Sequence, residues 1–474
     1  MTRWSPLPVS DMKVLRLFLL LLLPACTHVK PPQLQAQDGL RNLPAQWRNN
    51  ASSIELEAAQ ARDGDWWQSF GSNALAGMVQ QAQLDSYDIA AAVARVEQAQ
   101  HLTVVAGAPL LPEVSTAGNI GRQQRLGGSS DANRLSAYSA GLLASYEIDF
   151  WGKNRAAYQG ALSNLRATEF DRDSIRVTLG ANVAMTWVEA VGLAERVGIA
   201  RRNLENAERV LALVESRYRA GAATAIEQAQ QQGLVASQRR TVALLRQQQG
   251  NAEAALATLA SMPVGELQLM ENSVRQLQLP VVDAGVPSEL LVRRPDIALA
   301  EAMLLAADAD IQVARAAMLP SIRLTGGFSS HSEHLRDFFD APLYNLAAGL
   351  TAPIFNAGRL AAQRDFAIAR RKELLANYRQ AIIAALGDVE AALNRIAGLE
   401  QQATAQTLAL ENAERAFALA QSRYQAGAET MLTMLDTQRT LFTAQDLDLQ
   451  LRQQRLQAAV DLYRALGGGW QRSQ

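Results

Sequence analysis

Residues 204–221 read LENAERVLALVESRYRAG and residues 410–427 read LENAERAFALAQSRYQAG, identical at 13 of 18 positions with a constant offset of 206. The first spaces its apolar residues by three and four, through Leu204, Ala207, Leu211, Val214 and Tyr218, and both end in Ala-Gly. Such spacing is the seam of a helix wound against a neighbour, and a glycine just past the last turn is a helix stop that permits a left-handed backbone. Gly221 and Gly427 are therefore read as the tips of two helical hairpins.

Following the offset outward extends the repetition to most of the chain. DIAAAVARVEQAQ from Asp88 pairs with DIALAEAMLLAAD from Asp296, and LLPEV from Leu110 with MLPSI from Met318, both at an offset of 208. Gly152 and Lys153 answer Gly358 and Arg359 at an offset of 206. Each copy has one order: helix, short β region, long helix, turn, return helix. Two copies are too few for a solenoid, so a pseudo-symmetric fold is expected.

The long helices show as absences, because no proline occurs between Pro112 and Pro263 or anywhere after Pro353. Residues 153–220 and 358–425 are rich in Ala, Arg, Gln and Leu. At 1.5 Å per residue, each would extend roughly 100 Å, longer than any globular core. Ile382, Leu386, Val389, Leu393 and Ile396 step by three and four, and Leu435, Phe442, Leu449, Leu456 and Tyr463 fall at intervals of seven. Return helices are expected at about 224–260 and 430–466, and shorter helices at 73–107 and 292–318. Two short helices end to end match one long one.

A second period, of two, appears in AYSAGLLASYEIDF. Tyr138, Ala140, Leu142, Ala144, Tyr146, Ile148 and Phe150 point one way, and Ser139, Gly141, Ser145, Glu147 and Asp149 mostly the other. LYNLAAGLTAPIF repeats this through Tyr344, Leu346, Ala348, Leu350, Ala352 and Ile354, with partner strands near 112–125 and 320–330. Alone, the alternation fits a β-sandwich as well as a transmembrane barrel. A sheet in lipid must leave no open edge, and four strands cannot close around a channel, so a barrel requires two copies for eight strands or three for twelve.

Net charge of -1 and a pI near 6.5 give no basic surface for nucleic acid. MKVLRLFLLLLLPAC places Lys13 and Arg16 before a short apolar run and small residues, the pattern of an export signal, with Met12 a plausible start. The run is too short to span a bilayer. Cys26 is the single cysteine, so no disulfide framework exists. LPAC resembles the lipobox of bacterial lipoproteins, which implies acylation of Cys26, an unmodified thiol being the alternative. Acyl chains hold a protein on a bilayer, and Thr27, not Asp, follows the cysteine, which by the same resemblance implies the outer membrane.

WWQSF at 66–70, LLVRRPDIALAE at 290–301 and SRYQAGAETMLTMLDTQRTLFTAQ at 422–445 resemble the TolC-like outer-membrane efflux lipoproteins, the channel components of tripartite pumps. The resemblance covers nearly the whole mature chain. It implies a mainly α fold with a transmembrane β portion: a homotrimer whose twelve-stranded barrel continues into a helical barrel crossing the periplasm. The expected division is a signal peptide at 1–25, a lipid-anchored tether at 26–72, a first repeat at 73–261, an equatorial connection at 262–291, a second repeat at 292–467 and a tail at 468–474. Tyr87 stands where the family carries proline.

The copies diverge past the second tip, where Leu432, Asp436 and Arg439 stand against Ile226, Gln230 and Gly233. By resemblance, Leu432 and Asp436 line a periplasmic constriction, and Tyr424 and Arg439 belong to the polar network closing it. From spacing alone, Asp436 and Arg439 are a solvated intrahelical pair. The implied partners are a periplasmic adaptor, an inner-membrane pump and outer-membrane lipid, and the implied cargo is drugs or other small molecules. The alternatives are a protein-secretion conduit and a lipid-anchored periplasmic scaffold without a pore. No phosphate-cradling loop or nucleophile motif occurs, so no enzyme and no cofactor is expected. HSEH at 331–334 is the one metal-like cluster, and a solvated loop is its plainer reading.

Overall fold

A computed structural model describes residues 43–48, 65–124, 134–269, 273–280, 282, 284–340 and 342–472. The export signal and Cys26 lie outside the described residues. The elements run α1 (Asn73–Asp85), α2 (Tyr87–Gly107), β1 (Glu113–Gln124), β2 (Arg134–Ile148), α3 (Lys153–Arg219), α4 (Ala225–Leu259), α5 (Pro295–Ala316), β3 (Ser321–Ser332), β4 (Pro342–Thr351), α6 (Arg359–Gln425) and α7 (Met431–Ala465), with short 3-10 turns between. The helices α3 and α6 are 67 residues each, and α4 and α7 are 35 each, every pair offset by 206. Equal sequence has produced equal element bounds.

Contacts group the chain into two units. One contains residues 101–163 and 304–373, and the other residues 37–100, 164–303 and 374–474. The first holds a four-stranded antiparallel sheet in the order β1-β2-β3-β4. Its two hairpins share one register: Glu113 pairs with Ser145 and Ser321 with Thr351, while β2 and β3 join the copies from Tyr138↔Ser332 to Ile148↔Ile322. Across the strands the apolar residues stay in row, with Leu142 opposite Phe328, which in turn is opposite Tyr344. The other face is polar: Arg323 lies opposite Glu147, with Nη2 3.7 Å from Oε2, and donates to Ser145 Oγ at 3.3 Å. Lys153 Nζ also reaches Glu147.

The second unit packs its helices along the seam residues. Leu435, Phe442, Leu449, Leu456 and Tyr463 are all buried. One core joins Leu75, Val79, Trp187, Val188, Val191, Leu256, Leu449 and Leu456, with Trp66, Trp67 and Phe70 packed into it. Trp66 stacks on Tyr463 with ring centroids 5.0 Å apart, and Ser69 Oγ lies 3.2 Å from the Tyr463 hydroxyl. Trp66, Trp67 and Phe70, within the 26–72 stretch expected to be a lipid-anchored tether, are therefore core. Trp47 is buried too, its Nε1 donating to Gly285 O at 2.9 Å.

Two expected helices are interrupted. The 73–107 segment breaks at Ser86, where ψ is 121° and the side chain accepts from Ile89 N at 3.3 Å, which starts a new helix one residue later. The 292–318 helix begins at Pro295, with an extended Arg294 between it and the turn Leu290–Arg293. Proline disfavours the helical conformation for the residue before it.

Both hairpin tips have the same geometry. Ala222 N–H donates to Arg217 O at 2.8 Å and Gly221 N–H to Tyr218 O at 3.0 Å, and Ala428 and Gly427 repeat this on Arg423 O and Tyr424 O at 2.9 and 3.1 Å. These paired bonds satisfy the last carbonyls of α3 and α6, and both glycines sit at φ 74°. The return helices are then capped by Thr224, in a reciprocal box with Glu227, and by Thr430 on Thr433 N. A side chain at φ near +74° costs roughly 1 kcal/mol. Gly221→Ala and Gly427→Ala are each expected to speed amide exchange of their own turn about five-fold, by the same factor, in hydrogen-exchange mass spectrometry.

Candidate functional site

The sequence-predicted residues Leu432, Asp436 and Arg439 fall at i, i+4 and i+7 on α7 and so share one face. All three are exposed, Leu432 at 68%. The opposite face, with Met431, Met434, Leu435, Gln438, Leu441 and Phe442, is buried. Asp436 and Arg439 form no ion pair with each other among the described residues; their backbone oxygens accept from Thr440 and Thr443, each at 2.9 Å. The solvated intrahelical pair is thus absent. Arg439 instead lines a cleft of about 490 Å³ with Arg196, Asn203, Gln238, Thr443 and Asp446. Arg196 and Asp446 close one wall through a two-pronged ion pair at 2.7 and 3.0 Å.

Tyr424 is placed differently. It is 2% exposed, and the Arg217 guanidinium carbon lies 4.7 Å from its ring centroid while Arg217 Nη1 donates to Tyr424 O at 2.9 Å. Burial pushes the Tyr424 phenol up against the pull of Arg217, so the hydroxyl keeps its proton, and it has no hydrogen-bond partner among the described residues. Tyr424 and Arg439 are therefore not brought together within one chain. Tyr218, its counterpart in the first copy, ends its seam 44% exposed.

Two contributors were not singled out from the sequence. Arg217 was visible only as the first-copy counterpart of Arg423. Gln438 sits three residues after Leu435 and four before Phe442, a seam position where an amide is out of place. It is fully buried, and neither its Oε1 nor its Nε2 has a partner among the described residues, whereas buried Gln231 of α4 donates to Ala207 O at 2.8 Å.

The arginine of the RRPD motif has a structural task. Arg294 donates to both Asp296 oxygens at 3.0 and 2.7 Å, to Asp388 at 3.0 Å and to Ala465 O at 3.0 Å. Burial alone would depress its pKa, but Asp296 and Asp388 outweigh that and raise it. One guanidinium thus ties the start of α5 to α6 and to the end of α7. Of the HSEH residues, His331 lies on β3 opposite Ser139, and His334 lies past the strand end.

An amide buried without partners costs about 1–3 kcal/mol. Gln438→Leu is expected to raise the thermal unfolding transition and slow exchange in the first turns of α7. A lower transition would mean that the amide is satisfied.

The sequence model of outer membrane efflux proteins matches residues 78–261 and 286–468, two segments that follow the internal repetition. The chain is 51% identical over 459 residues, 95% of either chain, to the pyoverdine export outer membrane protein OpmQ of Pseudomonas aeruginosa. It is 30% identical over 467 residues, 97% of this chain and all of the other, to the cation efflux system protein CusC of Escherichia coli. A crystal structure of CusC superposes with a TM-score of 0.83 at 29% identity, covering 92% of this chain and 99% of that one. With paired 67-residue helices and a four-stranded sheet that is apolar on one face, the chain belongs to the outer membrane efflux protein family, the non-enzymatic outer-membrane channels of efflux systems.

Proposed function

We propose that the chain forms a homotrimeric outer-membrane channel that passively exports pyoverdine-type siderophores delivered by an inner-membrane pump and a periplasmic adaptor. The cargo reading is carried by the 51% identity over nearly all of a pyoverdine exporter, against 30% to a cation exporter. Drugs become a secondary cargo on this reading.

The sheet supports assembly. Strands β1 and β4 are its two edges, and β4 is exposed along its whole length, with Tyr344 and Leu346 both at 83%. Backbone groups without partners in lipid cost several kcal/mol each, so the β4 edge must pair with the β1 edge of another copy. Three copies supply twelve strands, with the Tyr344 and Phe328 row toward lipid and the Arg323 and Glu147 row toward the lumen. Cleavage before Cys26 and acylation there would anchor each copy, and residues 73–261 and 292–467 would form two sectors apiece.

At the tips, Leu432 and Asp436 of the exposed α7 stripe face their counterparts around the axis and narrow the pore, while Arg439 of that stripe belongs, with Tyr424, to the polar network that holds neighbouring helices shut. The exposure of this stripe in the single chain, and the absence of an Asp436–Arg439 pair within it, support contacts between copies. Docking of the adaptor and pump separates the helices, and the work comes from the partner.

Two measurements test the reading. Expression in Pseudomonas aeruginosa lacking OpmQ is expected to restore extracellular pyoverdine; unchanged export would remove the cargo assignment. Hydrogen bonds to charged groups contribute about 1.5–3 kcal/mol, so Asp436→Ala is expected to raise resting conductance about ten-fold in planar bilayers. An unchanged closed state would count against Asp436 as part of the gate.

A further inference from the structure

The arginines of the helical unit are partnered unequally. Arg294 has Asp296, Asp388 and the Ala465 carbonyl around it. Arg452 of α7 is half-buried as well, but its Nη2 donates to a neutral group, Leu277 O, at 2.5 Å. Among the described residues no carboxylate pairs with Arg452, and its Nε is buried without a hydrogen-bond partner. Burial works against its charge, and Arg455 and Arg275 add to this, so that together they outweigh Asp448. The pKa of Arg452 is therefore lowered where that of Arg294 is raised.

These neighbours enclose a cleft of about 310 Å³, lined by Arg275, Arg452 and Arg455 with Asp448, Thr407 and Leu451. Asp448 is the one acid in that lining, and Arg275 Nη2 already reaches it, while Arg275 Nε lies 3.4 Å from Glu195. Arg455 Nη2 donates to Glu400 Oε2 at 2.6 Å. Arg275 and Arg455 thus each have a carboxylate, whereas Arg452, repelled by both, has none. At about 30 Å³ per water the cleft has room for on the order of ten waters, enough for a small oxyanion with part of its hydration.

The first repeat does not build this cluster. At the offset of 206 Arg452 answers Arg246, but Asp448 answers Val242, Arg455 answers Gln249 and Thr407 answers Arg201. Arg246 is exposed on α4. The cleft is therefore no by-product of the duplicated frame.

We propose that this cleft binds a phosphate-type oxyanion, which Arg452 receives on its planar fork with Arg275 and Arg455 on either side. Paired N–H donors of a guanidinium match the oxygens of a phosphate, and such charge-assisted bonds are the strong ones. A neutral ligand would leave the repulsion among the three guanidiniums unrelieved, and a cation would add to it. Turning the Arg452 fork into the cleft gives Nε the acceptor that it lacks in the packed state. Arg275 and Leu277 belong to the segment between α4 and α5, Thr407 to α6 and Arg452 to α7, so the bound anion ties that segment to both helices. Every group involved is on one chain, and the site stands apart from the cargo and gate readings above.

The test titrates inorganic phosphate into the full-length protein in detergent, by calorimetry at constant ionic strength with chloride as the reference anion, and maps hydrogen exchange by mass spectrometry. The expected result is saturable phosphate binding that chloride does not reproduce, with slowed exchange in residues 273–280. Arg452→Lys keeps the charge and loses the fork, and is expected to bind phosphate about ten-fold more weakly. Arg246→Gln, at the first-repeat counterpart, is expected to bind as the unaltered protein does. Tighter binding of glycerol phosphate than of inorganic phosphate assigns the group to an ester, and the reverse order to the free ion. Equal heats from phosphate and chloride, or no protection of residues 273–280, overturn the proposal, as does an Arg452→Lys protein with undiminished binding. Should Arg452→Lys fail to fold, Arg455→Gln takes its place, and the exchange map of the unaltered protein decides alone.

Discussion

The constraint behind this structure is an unpaired strand edge. A four-stranded sheet with β1 and β4 open and a row of exposed aromatic and aliphatic residues has no stable place in either water or lipid as a single copy. On the proposed trimer, closure against further copies satisfies both problems with one set of contacts. Helical sectors that meet around a ring must fit the same neighbour on either side, and the simplest solution is for the sectors to be alike. The duplication at an offset of 206, down to equal element bounds and equal tip geometry, satisfies that demand.

Where the two repeats differ, the proposed trimer carries three-fold rather than six-fold content. The reciprocal box of Thr224 and Glu227 becomes Thr430 and Thr433, and Ile226, Gln230 and Gly233 become Leu432, Asp436 and Arg439. In the proposed constriction, three Asp436 carboxylates repel less than six would, while still giving cations and anions different access. The two hairpin turns keep the same backbone geometry across this divergence, although Glu429 replaces Ala223 between the glycine and the helix cap.

Much of this was legible in the sequence because the physical signals were long. Proline-free helices of 67 residues, heptads at Leu435 through Tyr463 and an alternation from Tyr138 to Ile148 that Leu143 alone interrupts leave few alternatives. The misses are local. Ser86 breaks an Ala-rich helix with one side-chain bond, which no periodicity reports. Trp66, Trp67 and Phe70 lie in a polar, irregular context and are core because residues hundreds of positions away meet them, as Tyr463 does. Tyr218 and Tyr424 occupy equal sequence and unequal environments, and only the arrangement of helices decides which is buried. Gln438 stood out only by its seam position, since a glutamine on a helix is otherwise unremarked.

Buried polarity runs along the whole of α7. Around Leu449, Leu456 and Tyr463 the core contains Trp187, Val188 and Leu256, all but fully enclosed, together with Trp67 Nε1, while Gln453 Oε1 lies buried between Leu449 and Leu456 on the same helix; neither atom has a partner among the described residues. Toward the tip the packed surface takes in the Gln438 amide and the Tyr424 hydroxyl, both buried without partners among the described residues. Exposing such polar groups to water returns hydrogen bonds that the packed state lacks, whereas exposing Leu449 or Leu456 only loses burial. The tip differs in degree, since at Gln438 both amide atoms are buried without partners and at Gln453 the oxygen.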